Sequence, residues 1–231
     1  MKIPLTKYGL PQVALYPVAL AGAMAAVLIG ARTLLPPWAL VTLEVLLGAV
    51  LIWSLAFFRD PQRSCSSDSN LLLAPADGTI TDIETVEEKS FIGENALRIG
   101  IFLSIFSTHI NRAPCNVKVE KITYKKGKHK NAMAPQSGRV NESNDLALVR
   151  TDKPTDKLIV RQISGAIARR IVCDTAVARE LAGGEKFGMI KFGSRTELYL
   201  PIRDNAKCLV KIGDKVKAGL TALVRYEQCQ D

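Results

Sequence analysis

The sequence predicts a mainly β fold, a β-sandwich or partly open barrel with lipoyl-like turns, preceded by an amino-terminal transmembrane helical hairpin. Three observations carry this. Two apolar runs fill the first 58 residues, short apolar or alternating runs then recur at regular spacing, and Gly-rich turns separate them.

The run Leu10–Ala31 has no charge, and Trp38–Phe58 has only Glu44. Each holds about 20 residues, which as a helix spans roughly 30 Å, a bilayer core. Pro17 falls near one end of the first helix or starts it. The short connection Arg32–Pro37 makes the pair an antiparallel hairpin. Lys2 and Lys7 precede it, Arg59 and Arg63 follow it, and the connection carries only Arg32. The positive-inside rule therefore places both ends in the cytoplasm. Glu44, six positions into its run, reads as a residue near the far interface. The expected organisation is an anchor over residues 1–58, a serine-rich linker over 59–71 and a catalytic β domain over 72–231.

In that domain "LLLAPADGTITDIETV" gives a strand, a turn at Pro75–Gly78 and an alternating strand. "ALRIGIFLSIF" reads as a buried strand, "NVKVEKITYKKG" alternates, and "LALVRT" and "KLIVRQISG" are short strands. Only "IARRIVCDTAVARELAGG", Ile167–Gly184, looks helical in part. The closing "CLVKIGDKVKAGLTALVRY" carries turns at Gly213-Asp214 and Ala218-Gly219, and its G-D-x-V-x-A-G pattern resembles lipoyl- and biotinyl-type sandwiches. "APADGTI" and "APQSGRV" suggest a repeated turn.

Thirty-one Lys and Arg against 22 acids give a net charge of +9, which points to an anionic partner. No nucleic-acid partner is expected, because zinc-finger spacing and aromatic ribonucleoprotein motifs are missing. Five scattered cysteines and two histidines argue against a disulfide framework and a metal site. The lysines at 118, 121, 125, 126, 128 and 130 form either a solvated hairpin or a face toward anionic headgroups.

The chemistry lies in "MIKFGSRTELYLP", where Gly193 and Ser194 interrupt an alternating strand. The plain reading is a bulge or bend. The chemical reading is self-cleavage: the Ser194 hydroxyl attacks the Gly193 carbonyl, and glycine leaves that approach open. The resulting ester is lost by β-elimination, and hydrolysis of the dehydroalanine's imine tautomer releases ammonia and leaves a pyruvoyl ketone.

The segments "PADGTI", "STHINRAP", "NESN", "RQISGAIARRIVC" and "GEKFGMIKFGSRTELYLP", spread over about Leu72–Tyr226, resemble the short prokaryotic form of phosphatidylserine decarboxylase. The resemblance implies a proenzyme cut between Gly193 and Ser194 into a β chain, 1–193, and an α chain, 194–231. Ser194 would become the covalent pyruvoyl cofactor, and Asp77, His109 and Ser194 the catalytic set. Where longer forms carry a second histidine, this chain has Arg112. Phosphatidylserine would be the substrate, phosphatidylethanolamine the product, and the cytoplasmic face of the inner membrane the location. A Schiff base between the substrate amine and the ketone would draw off the electrons left by carbon dioxide.

Read from the residues alone, His109 is either a satisfied structural histidine or a general acid-base aimed by the strand before it. Asp77 is either a turn former or the carboxylate that orients His109. His129, in "KKGKHKN", reads as a solvated loop residue. Two alternatives remain open: a pyruvoyl decarboxylase for another serine lipid or a soluble amino acid, and a membrane-anchored, non-catalytic lipoyl-like adaptor. The oligomeric state, a homo-oligomer included, is not legible.

Overall fold

The computed structural model describes residues 4–133, 137–166, 170–191 and 193–227. Lys2, Ala134–Gln136 of the second expected turn, Ile167–Arg169 of the expected helix, Phe192 and Cys229 lie outside the described residues. The chain divides into two compact units, Met1–Pro61 and Gln62–Asp231.

The first unit is a pair of helices, α1 (Gln12–Gly30) and α2 (Pro37–Phe57). Pro17 lies inside α1 near its start. Pro36 and Pro37 open α2, where a missing N–H costs nothing. Both helices are long and apolar enough to cross a membrane. No residue of α1 is buried, and α2 buries only Ser54 and Phe57. Exposed Val18, Ile29, Val45 and Ile52 would be unfavourable in water and suit lipid. The Thr6 amide donates to the Phe58 carbonyl at 2.9 Å and the Asp60 amide to the Pro4 carbonyl at 2.7 Å, so both outer ends of the hairpin meet.

The second unit is mainly β. Its strands are β1 (Leu71–Leu73), β2 (Gly78–Glu88), β3 (Glu94–Leu103), β4 (Ile110–Arg112), β5 (Val117–Lys125), β6 (Ser143–Arg150) and β7 (Lys157–Ile163). There follow β8 (Ile171–Cys173), β9 (Glu180–Leu181), β10 (Lys186–Ile190), β11 (Ser194–Pro201), β12 (Ala206–Cys208), β13 (Lys215–Val216) and β14 (Ala222–Tyr226). One helical turn, α3 (Ser137–Val140), precedes β6. An eight-stranded antiparallel sheet runs β13-β2-β3-β11-β7-β6-β5-β9, and two three-stranded sheets run β1-β14-β12 and β4-β10-β8.

Period-2 alternation decides what each strand buries. Ile99, Ile101 and Leu103 of β3, Leu198 and Leu200 of β11 and Leu158 and Val160 of β7 share one core with Leu72, Phe187 and Val224 of the small sheets. The opposite face of the large sheet carries charge. Asp82, Arg98, Arg195, Glu197, Arg161 and Asp145 form a ladder across β2, β3, β11, β7 and β6. All eight residues of β11 are buried, so its charged residues have to pair.

The segment expected to be partly helical is not, among its described residues. Ile171–Cys173 pairs with β10, and Glu180–Leu181 pairs with β5. Between them Ala178 takes a φ of 70°, which no helix contains. Ladder partners overrode the helical preference of the Ala, Arg and Glu residues.

Two carboxyls tie the large sheet to acid stability. At Asp82 burial opposes ionisation, but hydrogen bonds from Arg195 and Thr81 outweigh it and lower the pKa from 3.8. At Glu88 burial again opposes, while Ser90 and the amides of Ile92, Phe91 and Ser90 lower the pKa from 4.5. A depressed folded-state pKa contributes stability above the unfolded value, and that stability is lost as pH falls through the folded one. The melting temperature of the second unit should therefore hold above about pH 5 and fall below about pH 4. Glu88→Gln should flatten part of that acid limb, and an unchanged limb would refute the assignment.

Candidate active site

Gly193 and Ser194 sit where the loop after β10 enters β11. Gly193 adopts a φ of 63°, in the left-handed region that favours glycine. Ser194 is fully buried, and its hydroxyl has no hydrogen-bond partner among the described residues. A buried hydroxyl without a partner is unfavourable for folding.

His109 faces this bend. It is fully buried, and its Nδ1 lies 2.9 Å from the Ser107 carbonyl oxygen. A carbonyl has no proton to give, so Nδ1 carries the proton and the lone pair is on Nε2. That lone pair accepts the Gly193 amide at 3.3 Å. The main chain holds the same contact, since the Ile190 amide donates to the His109 carbonyl at 3.2 Å. His109 does not end the strand that was expected to aim it. β3 stops at Leu103, residues 104–107 turn, and His109 leads into β4.

A buried polar chain locks β4 to the large sheet. Asn111 Nδ2 donates to Thr196 Oγ1 at 3.0 Å, Gln162 Nε2 to Asn111 Oδ1 at 2.9 Å, and Asn144 Nδ2 to Gln162 Oε1 at 3.1 Å. Each member is buried, and the chain fixes the strands that carry His109 and Ser194.

The Asp77 carboxylate pairs with Arg63. Arg63 Nη1 and Nη2 donate to its two oxygens at 2.6 and 2.7 Å, and the Ala218 amide donates at 2.8 Å. The Ser107 carbonyl orients the imidazole at Nδ1. Asp77 lines a cleft of about 280 Å³ with Ser104, Phe106, Ser107, Lys215 and Lys217.

The scissile-bond candidate is also crowded from the β7 side. A Cβ on Gly165 would lie 2.0 Å from the Gly193 carbonyl oxygen, so only glycine fits there. The Ser164–Gly165 loop is pinned by Asn141 Nδ2, which donates to the Ser164 carbonyl at 2.8 Å, and by the Ser164 amide, which donates to the Glu142 carbonyl at 2.9 Å. His129 also takes part: its Nδ1 lies 3.1 Å from Ser164 Oγ and 3.8 Å from Glu142 Oε2, with the side chain 37% exposed. It is exposed and lies in a loop, as expected, and it also meets the Ser164 side chain.

The family described as phosphatidylserine decarboxylase matches residues 50–224. The chain is 41% identical over 184 residues to a phosphatidylserine decarboxylase proenzyme of Pelagibacter ubique, covering 78% of this chain and 83% of that one. It is 42% identical over 171 residues to the proenzyme of that name from Desulfotalea psychrophila, covering 74% and 78%. This chain belongs to the phosphatidylserine decarboxylase family. Members of this family are carboxy-lyases, and the chain is an enzyme of that class.

Within this decarboxylase, the resembling segments converge. "NESN" supplies Asn141, Glu142 and Asn144, "RQISG" supplies Gln162 and Gly165, and "STHINRAP" supplies His109 and Asn111. Sequence reasoning singled out Ser194, His109 and Asp77 and did not single out Gly165 or Ser107. Of these only Gly165 left a signal, a Ser-Gly pair directly after a strand.

Proposed function

We propose that the chain is a proenzyme that cuts itself between Gly193 and Ser194, turns Ser194 into a pyruvoyl group and decarboxylates phosphatidylserine to phosphatidylethanolamine. The observation that carries this is the buried Ser194 hydroxyl without a hydrogen-bond partner, next to a left-handed Gly193 whose amide meets His109 Nε2. These residues fit the group, because it needs a serine whose oxygen is uncommitted and an acyl neighbour without Cβ.

In maturation the Ser194 oxygen bonds to the Gly193 carbonyl carbon, and its proton goes to His109 Nε2. The bond from that carbon to the Ser194 nitrogen then breaks, and the nitrogen takes a proton. Loss of the Ser194 α-proton expels the Gly193 carboxylate, and water replaces the nitrogen, which leaves as ammonia. Once formed, the pyruvoyl group supplies an electron-withdrawing carbonyl for the electrons released with carbon dioxide. His109 Nε2 carries the proton that the substrate's α-carbon then requires. Asp77 completes the proposed set as the carboxylate on the cleft wall, held by Arg63.

Two further parts of the reading concern the membrane. α1 and α2 anchor the enzyme in the inner membrane with the catalytic unit on the cytoplasmic side, supported by Lys7 and Arg59 beside the hairpin's joined ends. The six lysines from Lys118 to Lys130 are all exposed, and each contributes about 1 kcal/mol near anionic headgroups. The protein should stay in membranes through high-salt and alkaline washes; release by salt alone would rule out the spanning hairpin.

Intact mass tests the whole reading. Two fragments are expected, Met1–Gly193 and Ser194–Asp231, the latter lighter than a serine-started chain by one ammonia. Borohydride with phosphatidylserine should trap an adduct on the short fragment. A free amino-terminal Ser194, or trapping on the long fragment, would overturn it. Gly165→Ala, which forces a methyl onto the Gly193 carbonyl, should slow cutting by about 10- to 100-fold. Unchanged cutting in that variant would mean that the carbonyl does not need its present place.

A further inference from the structure

Cutting at Ser194 creates a problem that the rest of β11 has to solve. Ser194 becomes the first residue of a chain, and chain ends fray unless they are tied down. Its own ladder support is one-sided: Ser194 pairs with Leu103 of β3, while pairing with β7 begins only at Arg195. A fraying end would carry the reactive group away from His109.

Arg195 is fully buried on the opposite face of the sheet from Ser194, and all three of its guanidinium nitrogens are engaged. Nε donates to Glu197 Oε1 at 2.7 Å, Nη1 to Thr81 Oγ1 at 2.7 Å, and Nη2 to the two Asp82 oxygens at 2.7 and 2.6 Å. Thr81 Oγ1 donates in turn to Asp82 Oδ2 at 2.7 Å, and the Tyr199 hydroxyl donates to Glu197 Oε2 at 2.6 Å.

Asp82 and Thr81 are on β2, which is not a neighbour of β11; β3 lies between them. The side chain crosses β3 at Gly100, which pairs with Asp82 on one side and Glu197 on the other. A Cβ on Gly100 would lie 2.0 Å from Arg195 Nη2. A glycine in mid-strand weakens a sheet, so this slot is bought at a cost in β3 itself. Charge-assisted, many-pronged contacts of this kind fix geometry as well as attract.

We infer that Arg195 is a positioning residue of the matured site: by gripping β2 across Gly100 it holds the new chain end, so the group made from Ser194 stays against His109 once the bond to Gly193 is gone. The inference rests on the reading of Gly193–Ser194 as the bond that is cut. The grip is needed after the cut more than before it, because the intact chain is held at Ser194 from both sides.

Hydrogen exchange on the cut wild type and on uncut Ser194→Ala tests this without disturbing the clamp. The amides of Thr196–Leu198 should be protected within about threefold of each other. Exchange more than about 100-fold faster in the cut form would overturn the inference. Asp82→Asn loosens the β2 end while leaving the Arg195–Glu197 pair. It should still cut, keep KM within about threefold, and lose about 10- to 100-fold in kcat per cut chain on phosphatidylserine vesicles. Its amides at 196–198 should lose protection in the cut form only. Asp145→Asn, which loosens the ladder at Arg161 instead, should leave kcat within about twofold.

An unchanged kcat in Asp82→Asn would overturn the inference, and so would a folded Asp82→Asn that stays uncut, since that places the grip before cleavage. If Asp82→Asn does not fold, the wild-type exchange comparison and Thr81→Val, expected to lose kcat in the same direction, decide it. A wild type that is itself one chain would instead refute the cleavage reading and leave no new end to hold.

Discussion

Ser194→Ala is expected to give one uncut chain with no decarboxylase activity and an unimpaired fold. The oxygen it removes makes no hydrogen bond to any described residue and is shut away from solvent. Deleting a buried, unsatisfied polar atom relieves a desolvation penalty of about 1–3 kcal/mol and breaks nothing. The melting temperature should therefore match or exceed that of the wild type. This sets the serine apart from an ordinary core residue, whose truncation destabilises. Ser194→Cys keeps a nucleophile and should cut slowly. Intact mass, a lipid assay and thermal melting together check the claim. A normally cut Ser194→Ala protein would place the scissile bond elsewhere.

His109→Gln should slow maturation by about 10²–10⁴-fold, the usual contribution of a positioned general base. Glutamine is the informative replacement because it separates support from chemistry. Its amide can donate to the Ser107 carbonyl and accept from the Gly193 amide, contacts that the ring makes at 2.9 and 3.3 Å. It cannot take up a proton near neutral pH. The main-chain bond from Ile190 to the His109 carbonyl survives any side-chain change. Time courses of chain cutting on gels, beside melting curves, separate the effects. Cutting at the wild-type rate in a folded His109→Gln protein would remove His109 from maturation.

The sequence made some of this legible and hid the rest for physical reasons. Long apolar runs showed α1 and α2, because length and hydropathy define such segments. β3 and β11 were visible as strands, yet the alternation in "RTELYLP" suggested a half-solvated strand. Arg195, Glu197 and Tyr199 are buried and paired instead. Periodicity reports two faces and cannot say that both are covered. The proposed nucleophile stands out in the sequence through Gly193-Ser194 and its flanking segments. The Ser107 carbonyl beside the His109 ring does not, since a main-chain group leaves no mark on residue type. The pairing of Asp77 with Arg63 was not legible either, because the linker residue that supplies two strong donors lies 14 positions away. The segment after β7 misled. Its composition favours a helix, and long-range pairing of Ile171–Cys173 with β10 set it.

The place of β11 inside the large sheet, between β3 and β7, decides how the proposed cut form would come apart. The uncut precursor unfolds and refolds as a single molecule, so its transition does not depend on how much protein is present. After the proposed cut the same fold is a heterodimer whose smaller partner supplies an interior strand as well as β12, β13 and β14. Loss of that partner is a dissociation, and its recovery a second-order encounter in which a short chain has to find a gap in a sheet already closed around it. Dilution then lowers the apparent stability of the matured form while leaving the precursor untouched. The lifetime of the active enzyme is set by how slowly the strand escapes rather than by the depth of an equilibrium well.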